Sequence, residues 1–163
     1  MNHDSFKHID PDGFHGKELS LHDCVANKIS AENNTLCFYF PDGFWVTPHH
    51  EENPSDKVVR TDPAAVFFSP EDMEEITLRV FTKSFGLFGK TSVESWNVDK
   101  LISAVNSGKC QIEFITQYRS HYEQLWHCAI HSDRKPYYRE CQLHFPNTEA
   151  SFCWNALRLD CEW

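Results

Sequence analysis

Four apolar-rich runs, at roughly 110–119, 123–132, 137–145 and 150–159, follow one another with only the short polar breaks SH, DRKP and PNTE between them. Parallel neighbours need a crossover of about a dozen residues or more, so these runs predict antiparallel pairing in chain order. A loop at 133–136 that closes residue 132 on residue 137 places Cys128 opposite Cys141 and Trp126 opposite Leu143. A slip of one residue would turn every side chain of a strand to the other face.

The earlier chain reads in the same way. VANKIS, TLCFYF and FWVT are strand runs separated by AENN and Pro41-Asp42-Gly43, which have turn composition. Leu36, Phe38 and Phe40 share one face of their run, and Cys37 and Tyr39 share the other, so both faces are expected to be partly covered. Residues 64–68 and 75–83 are further strands, with Ser69-Pro70-Glu71-Asp72 as a turn between them. Residues 47–63, with three prolines and many charges, predict a long exposed loop. One helix is expected at 97–107: Val98, Leu101, Ile102 and Val105 form an apolar stripe, Asn97 can cap its start, and Gly108 can close it. Residues 1–16 show no sustained period and read as an irregular or flexible arm, leaving 17–163 as a single β-rich domain. The expected fold class is mainly β, on the α+β margin: about nine or ten antiparallel strands forming a curled sheet, a barrel or a sandwich.

The 163 residues include 13 Phe, 5 Tyr and 5 Trp and only 6 Gly, enough apolar surface for one real core. A formal charge of −9 has the wrong sign for broad association with nucleic acid or anionic lipid, so neither partner is expected. The chain does not open on a basic segment followed by an apolar one, and no run of about 18 apolar residues occurs, which predicts a cytoplasmic protein without a membrane span. Seven cysteines, odd in number and without a CxxC pair, predict reduced thiols rather than a disulfide framework or zinc ribbon.

Ten histidines raise the question of metal or catalysis. His127 and His131 share a strand face but stand roughly 13 Å apart, too far to share one ion. His49-His50-Glu51-Glu52 has ligand-type residues, yet adjacent residues alone rarely complete a coordination shell, so no metal and no cofactor are expected. Cys128 and Cys141 read as small buried hydrophobes. Gly86-Leu-Phe-Gly-Lys-Thr91 has two residues between its glycines where a phosphate loop has four, and no helix opens at its Lys-Thr. No catalytic set is recognisable.

Leu19-Ser-Leu-His-Asp23, followed by apolar strands and Phe40-Pro-Asp-Gly-Phe-Trp45, resembles small β-rich bacterial proteins of unknown function, some of them immunity proteins of toxin systems. The resemblance implies a cytoplasmic acidic protein that occludes a partner, with Asp23 bonding turn amides and His22 filling a polar notch. It transfers no binding residue. The expected function is therefore a non-enzymatic interaction module that binds a protein partner through Trp45, through His49 and His50 of the 47–63 loop, and through Phe85, Leu87 and Phe88 of an apolar tip at 84–90. The alternative is a ligand-binding barrel or sandwich, with Glu113, Tyr118, His127 and His144 lining a hydrolytic or metal site. Oligomeric state is open.

Overall fold

The computed structural model describes residues 3–11, 18–84, 90–120 and 123–163. Its framework is the meander expected from the C-terminal runs: β11 (Cys110–Arg119), β12 (Glu123–Ser132) and β13 (Tyr138–Pro146) pair antiparallel in chain order. Cys128 faces Cys141 and Trp126 faces Leu143, as the four-residue connection requires. To this ribbon are added β9 (Thr77–Ser84) and β10 (Lys90–Trp96) on one side and β3 (Cys24–Ala26) on the other, giving the six-stranded order β10-β9-β13-β12-β11-β3.

A five-stranded sheet has the order β1-β14-β8-β5-β4. It comprises β1 (His8–Asp10), β4 (Lys28–Glu32), β5 (Thr35–Phe40), β8 (Ala64–Pro70) and β14 (Thr148–Trp154). A smaller sheet, β15-β7-β6-β2, uses β2 (Leu19–Ser20), β6 (Trp45–Val46), β7 (Val59–Thr61) and β15 (Leu157–Glu162). The architecture is sandwich-like and antiparallel, and no barrel closes among the described residues.

The core lies between the two large sheets. Leu36, Phe38 and Phe40 of β5 and Phe68 of β8 face Phe114, Trp126, Leu143 and Phe145 across it, all of them buried. Phe68 stacks on Phe145 at 4.4 Å, and Phe38 meets Phe114 edge-on at 5.3 Å, contacts worth about 0.5–1.5 kcal/mol each beyond their buried area. The opposite face of the five-stranded sheet carries a second buried group, Cys37, Ala65, Phe67 and Cys153, with Phe6 packed on it. Both faces of β5 are thus covered, as its sequence suggested.

The helix α1 (Val98–Asn106) begins at Asn97, whose side chain accepts the Lys100 N–H, and buries Leu101 and Val105. Gly108 follows it at φ +71°. Gly43 is the second glycine that the backbone demands: it has φ +74°, and an added Cβ would fall on the Thr61 carbonyl oxygen.

Several expectations need correction. The described residues contain fifteen strands rather than nine or ten: β1, β2 and β7 have only two or three residues, too few to show a period, β10 has few apolar groups, and the runs at VANKIS and 150–159 each divide in two. The run 150–159 is two strands in different sheets, β14 beside β8 and β15 beside β7, and neither pairs with β13 as expected. Asp62 accepts the N–H groups of Asn155 and Ala156, both at 3.1 Å, and the chain changes sheet there. β8 continues through Pro70, and a 3-10 turn at Met73–Glu75 takes the place of the expected simple turn. Residues 47–63 are pinned rather than free: Asn53 is buried and donates to Val46 O and Lys57 O, and β7 closes the segment. The N-terminal arm contributes β1, which pairs with β14 over three residues.

Candidate functional site

Beyond Val80 and Cys141 the ladder between β9 and β13 ends, while β9 goes on pairing with β10 as far as Ser84. The β9–β10 arm and the start of β13 therefore part. Phe81, Thr82, Lys83, Pro136, Tyr137 and Tyr138 line the resulting hollow of about 680 Å3, and Lys83 bridges it to Glu140 at 3.0 Å. Tyr137 and Tyr138 are 58% and 51% exposed, and Val93, paired with Phe81, is 56% exposed. This is the main cluster of exposed apolar groups among the described residues.

On the other side of residues 135–139 lies a second hollow of about 540 Å3, between Trp96 of β10, the end of α1 and the β12–β13 turn. Its cations are Lys109, Arg134, Lys135 and Arg139, and its carboxylate is Asp133. Trp96 is held between two cations, with Lys100 Nζ 4.7 Å and Arg139 Cζ 5.0 Å from the ring centroid. Lys100 is engaged by Glu94. The Lys100 ammonium, with a smaller contribution from the Arg139 charge, holds the Glu94 carboxyl below the usual carboxylate range.

The residues singled out from sequence fare differently. Trp45 is covered by its own chain rather than exposed. It is buried beneath Trp163 in a 5.4 Å stack, Arg60 lies over its ring at 4.7 Å, and its indole N–H donates to His22 O. His49 is exposed, whereas His50 is buried. Phe85, Leu87 and Phe88 lie outside the described residues. Glu113, Tyr118, His127 and His144 do share one face of the six-stranded sheet, but it is the outer face, opposite the core residues Phe114, Trp126, Cys128 and Leu143. They line no sandwich interior, because aromatic rings fill it. Glu113 pairs with His131 at 2.7 Å, and His144 approaches Glu123 at 3.7 Å. His22 lies 3.0 Å from Asp23, which takes φ +56°.

The structure also assembles a group that the sequence did not disclose. Asp10 of β1, Glu18 before β2 and His50 bring three potential ligand atoms within 4.8 Å of one another. The surrounding hollow of about 500 Å3 includes His8, His49, Glu51 and Glu52. Its hydrogen bonding argues against coordination. His50 Nδ1 accepts the Glu52 N–H at 3.2 Å, which places the ring proton on Nε2, and Nε2 donates to Asp10 Oδ2 at 3.3 Å. Metal-bound imidazoles donate through the distal ring nitrogen, and here an amide already points at it. The arrangement works instead as a clamp between β1 and the 47–58 segment, reinforced by His8, which stacks on Trp154 at 5.3 Å and lies 3.4 Å from Glu52.

All seven cysteines are free, and six of them are buried. Burial, partly offset by Arg60, pushes the Cys24 thiol up to about 12. Burial likewise pushes Cys37 to about 11 and Cys153 to about 12, and raises Cys128 and Cys110. These are protonated core groups rather than nucleophiles. Among the described residues no helix is long and apolar enough to cross a membrane.

No protein-family model, no curated protein and no solved structure matches the chain.

Proposed function

We propose that this protein is a non-enzymatic, cytoplasmic interaction module that binds a protein partner at the corner where the β9–β10 arm leaves β13. The observation that carries this reading is the hollow of about 680 Å3 lined by Phe81, Pro136, Tyr137 and Tyr138, open at the surface and rimmed by Lys83 and Lys135. Aromatic anchors within a charged rim are the composition of interface hot spots. The seven free thiols suit a reducing compartment. An occluding, immunity-like role is the form of partner binding that the resemblance of the 19–45 segment suggests.

The experiment is affinity capture from a lysate of the source organism with immobilised wild-type protein and a Tyr138→Asp variant of unchanged circular dichroism. One partner retained in stoichiometric amount by the wild type and lost by the variant is expected. Equal retention by both, or no retention by either, overturns the reading.

A further inference from the structure

We propose that the hollow beside Trp96 receives carboxylates from an acidic segment of that partner, whose apolar side chain occupies the neighbouring Phe81/Tyr137/Tyr138 hollow. The inference rests on the interaction reading above and adds the chemistry of what is bound.

The argument starts from unmatched charge. Three exposed lysines of this acidic chain are neutralised, Lys57 by Glu162, Lys83 by Glu140 and Lys100 by Glu94, while Lys7 and Lys28 stand singly without an ion pair among the described residues. Lys109, Arg134, Lys135 and Arg139 make no ion pair among the described residues, yet all four line one hollow of about 540 Å3 with Asp133 as its acid. The C-terminal end of α1 adds only about half a negative elementary charge. A net positive hollow therefore sits in a molecule whose formal charge is −9.

Arg139 is the centre of the hollow. Its guanidinium is held at the Trp96 ring, and its Nε is buried without a hydrogen-bond partner. A planar fork of N–H donors fixed by stacking and lacking an acceptor is suited to a carboxylate. The nearby Glu94 is engaged by Lys100 and meets Arg139 only as a weaker, unbonded charge. The Cys110 thiol, raised by burial, is neutral beside Arg139 and offers no counter-charge.

Size and shape select a short acidic polypeptide segment over a nucleic acid. The two hollows share Lys135, Pro136 and Arg139, so a few residues of chain crossing Pro136 reach both. A phosphate backbone extending further would meet Glu94, Glu140 and the carboxylates of a −9 surface.

The test is a nitrogen-15 NMR titration of the full chain with an acetylated ten-residue glutamate peptide carrying one central leucine. Shifts centred on the Trp96 indole N–H and on residues 109 and 134–139 are expected, with affinity falling at least about tenfold in Arg139→Gln and falling again with added salt. Lys109→Gln/Lys135→Gln, which changes only exposed side chains, gives the same readout if Arg139→Gln does not fold. Absent shifts, or shifts unaltered in the variants, overturn the inference. Inorganic phosphate producing the same shifts at equal concentration would make this a small-oxyanion site, and tighter binding of an oligothymidylate would make it a nucleic-acid surface; either result also overturns it. A partner captured equally by wild type and Lys109→Gln/Lys135→Gln sinks this inference alone, whereas capture of no partner sinks the reading beneath it.

Discussion

Asn106, the last residue of α1, meets Ile29 of the edge strand β4 twice: its Oδ1 accepts the Ile29 N–H at 2.9 Å and its Nδ2 donates to the Ile29 carbonyl at 2.7 Å. One side chain thereby completes both backbone groups that a further strand would use at that position. The helix closes this edge of the five-stranded sheet and prevents end-on association there.

Replacing Asn106 with Ala is expected to leave both Ile29 groups unmatched and to cost about 1–3 kcal/mol. Denaturant unfolding measures the loss, and light scattering should show concentration-dependent association that the wild type lacks. An unchanged midpoint would mean that solvent completes Ile29 equally well.

Gly43→Ala tests the turn between β5 and β6. With φ +74° and the Thr61 carbonyl where a Cβ would go, the variant is expected to lose roughly 1–3 kcal/mol or more. Gly108→Ala is the comparison, because it shares the positive φ but has open space around its Cβ position, so it should lose less. Equal losses measured by thermal unfolding would assign the whole effect to backbone conformation.

Alkali should weaken the fold through its thiols. Cys24, Cys37 and Cys153 ionise near 9 when unfolded but only at about 11 to 12 when folded. The unfolded state therefore binds fewer protons between these values. The stabilisation is complete below pH 9 and declines above it by about 1.4 kcal/mol per pH unit for each thiol. A Cys37→Ala/Cys153→Ala variant should show a shallower decline from pH 9 to 11. At neutral pH, a thiol reagent should modify the half-buried Cys161 quickly and the six buried thiols only on unfolding.

His50 gives a prediction with a defined sign for metal. With its Nδ1 occupied by the Glu52 N–H, the ring is expected to show the Nε2–H tautomer in long-range nitrogen-15 spectra, and stoichiometric zinc should leave the melting temperature unchanged. A zinc-dependent rise abolished by Asp10→Asn would show that the ring turns and coordinates.

The meander was readable because the break at 133–136 and the alternation of Trp126, Cys128 and Ile130 against Leu143 and Cys141 admit one register. The helix was readable for a similar reason: Asn97, the apolar stripe and Gly108 are local signals. What escaped depends on residues distant in sequence. Nothing near His50 announces Asp10, and nothing near Trp96 announces Arg139; each pair is brought together by a sheet whose order departs from chain order. Trp45 misled for the opposite reason, since a tryptophan in a turn-rich segment reads alike whether it faces a partner or is covered by Trp163 and Arg60. β10 passed unnoticed because its residues Lys90–Trp96 hold only Val93 and Trp96 as apolar groups.

The pairing of β1 with β14, which sets Ile9 against Cys153, bears on how the molecule is made. β11, β12 and β13 can assemble from consecutive chain as it leaves the ribosome, but the five-stranded sheet interleaves segments from both ends and stays unfinished until β14 has emerged. During synthesis the inner face of β8 and β5, with Phe38 and Phe68, waits for Phe114 and Phe145 of the later meander, and the free edge of β8 waits for β14.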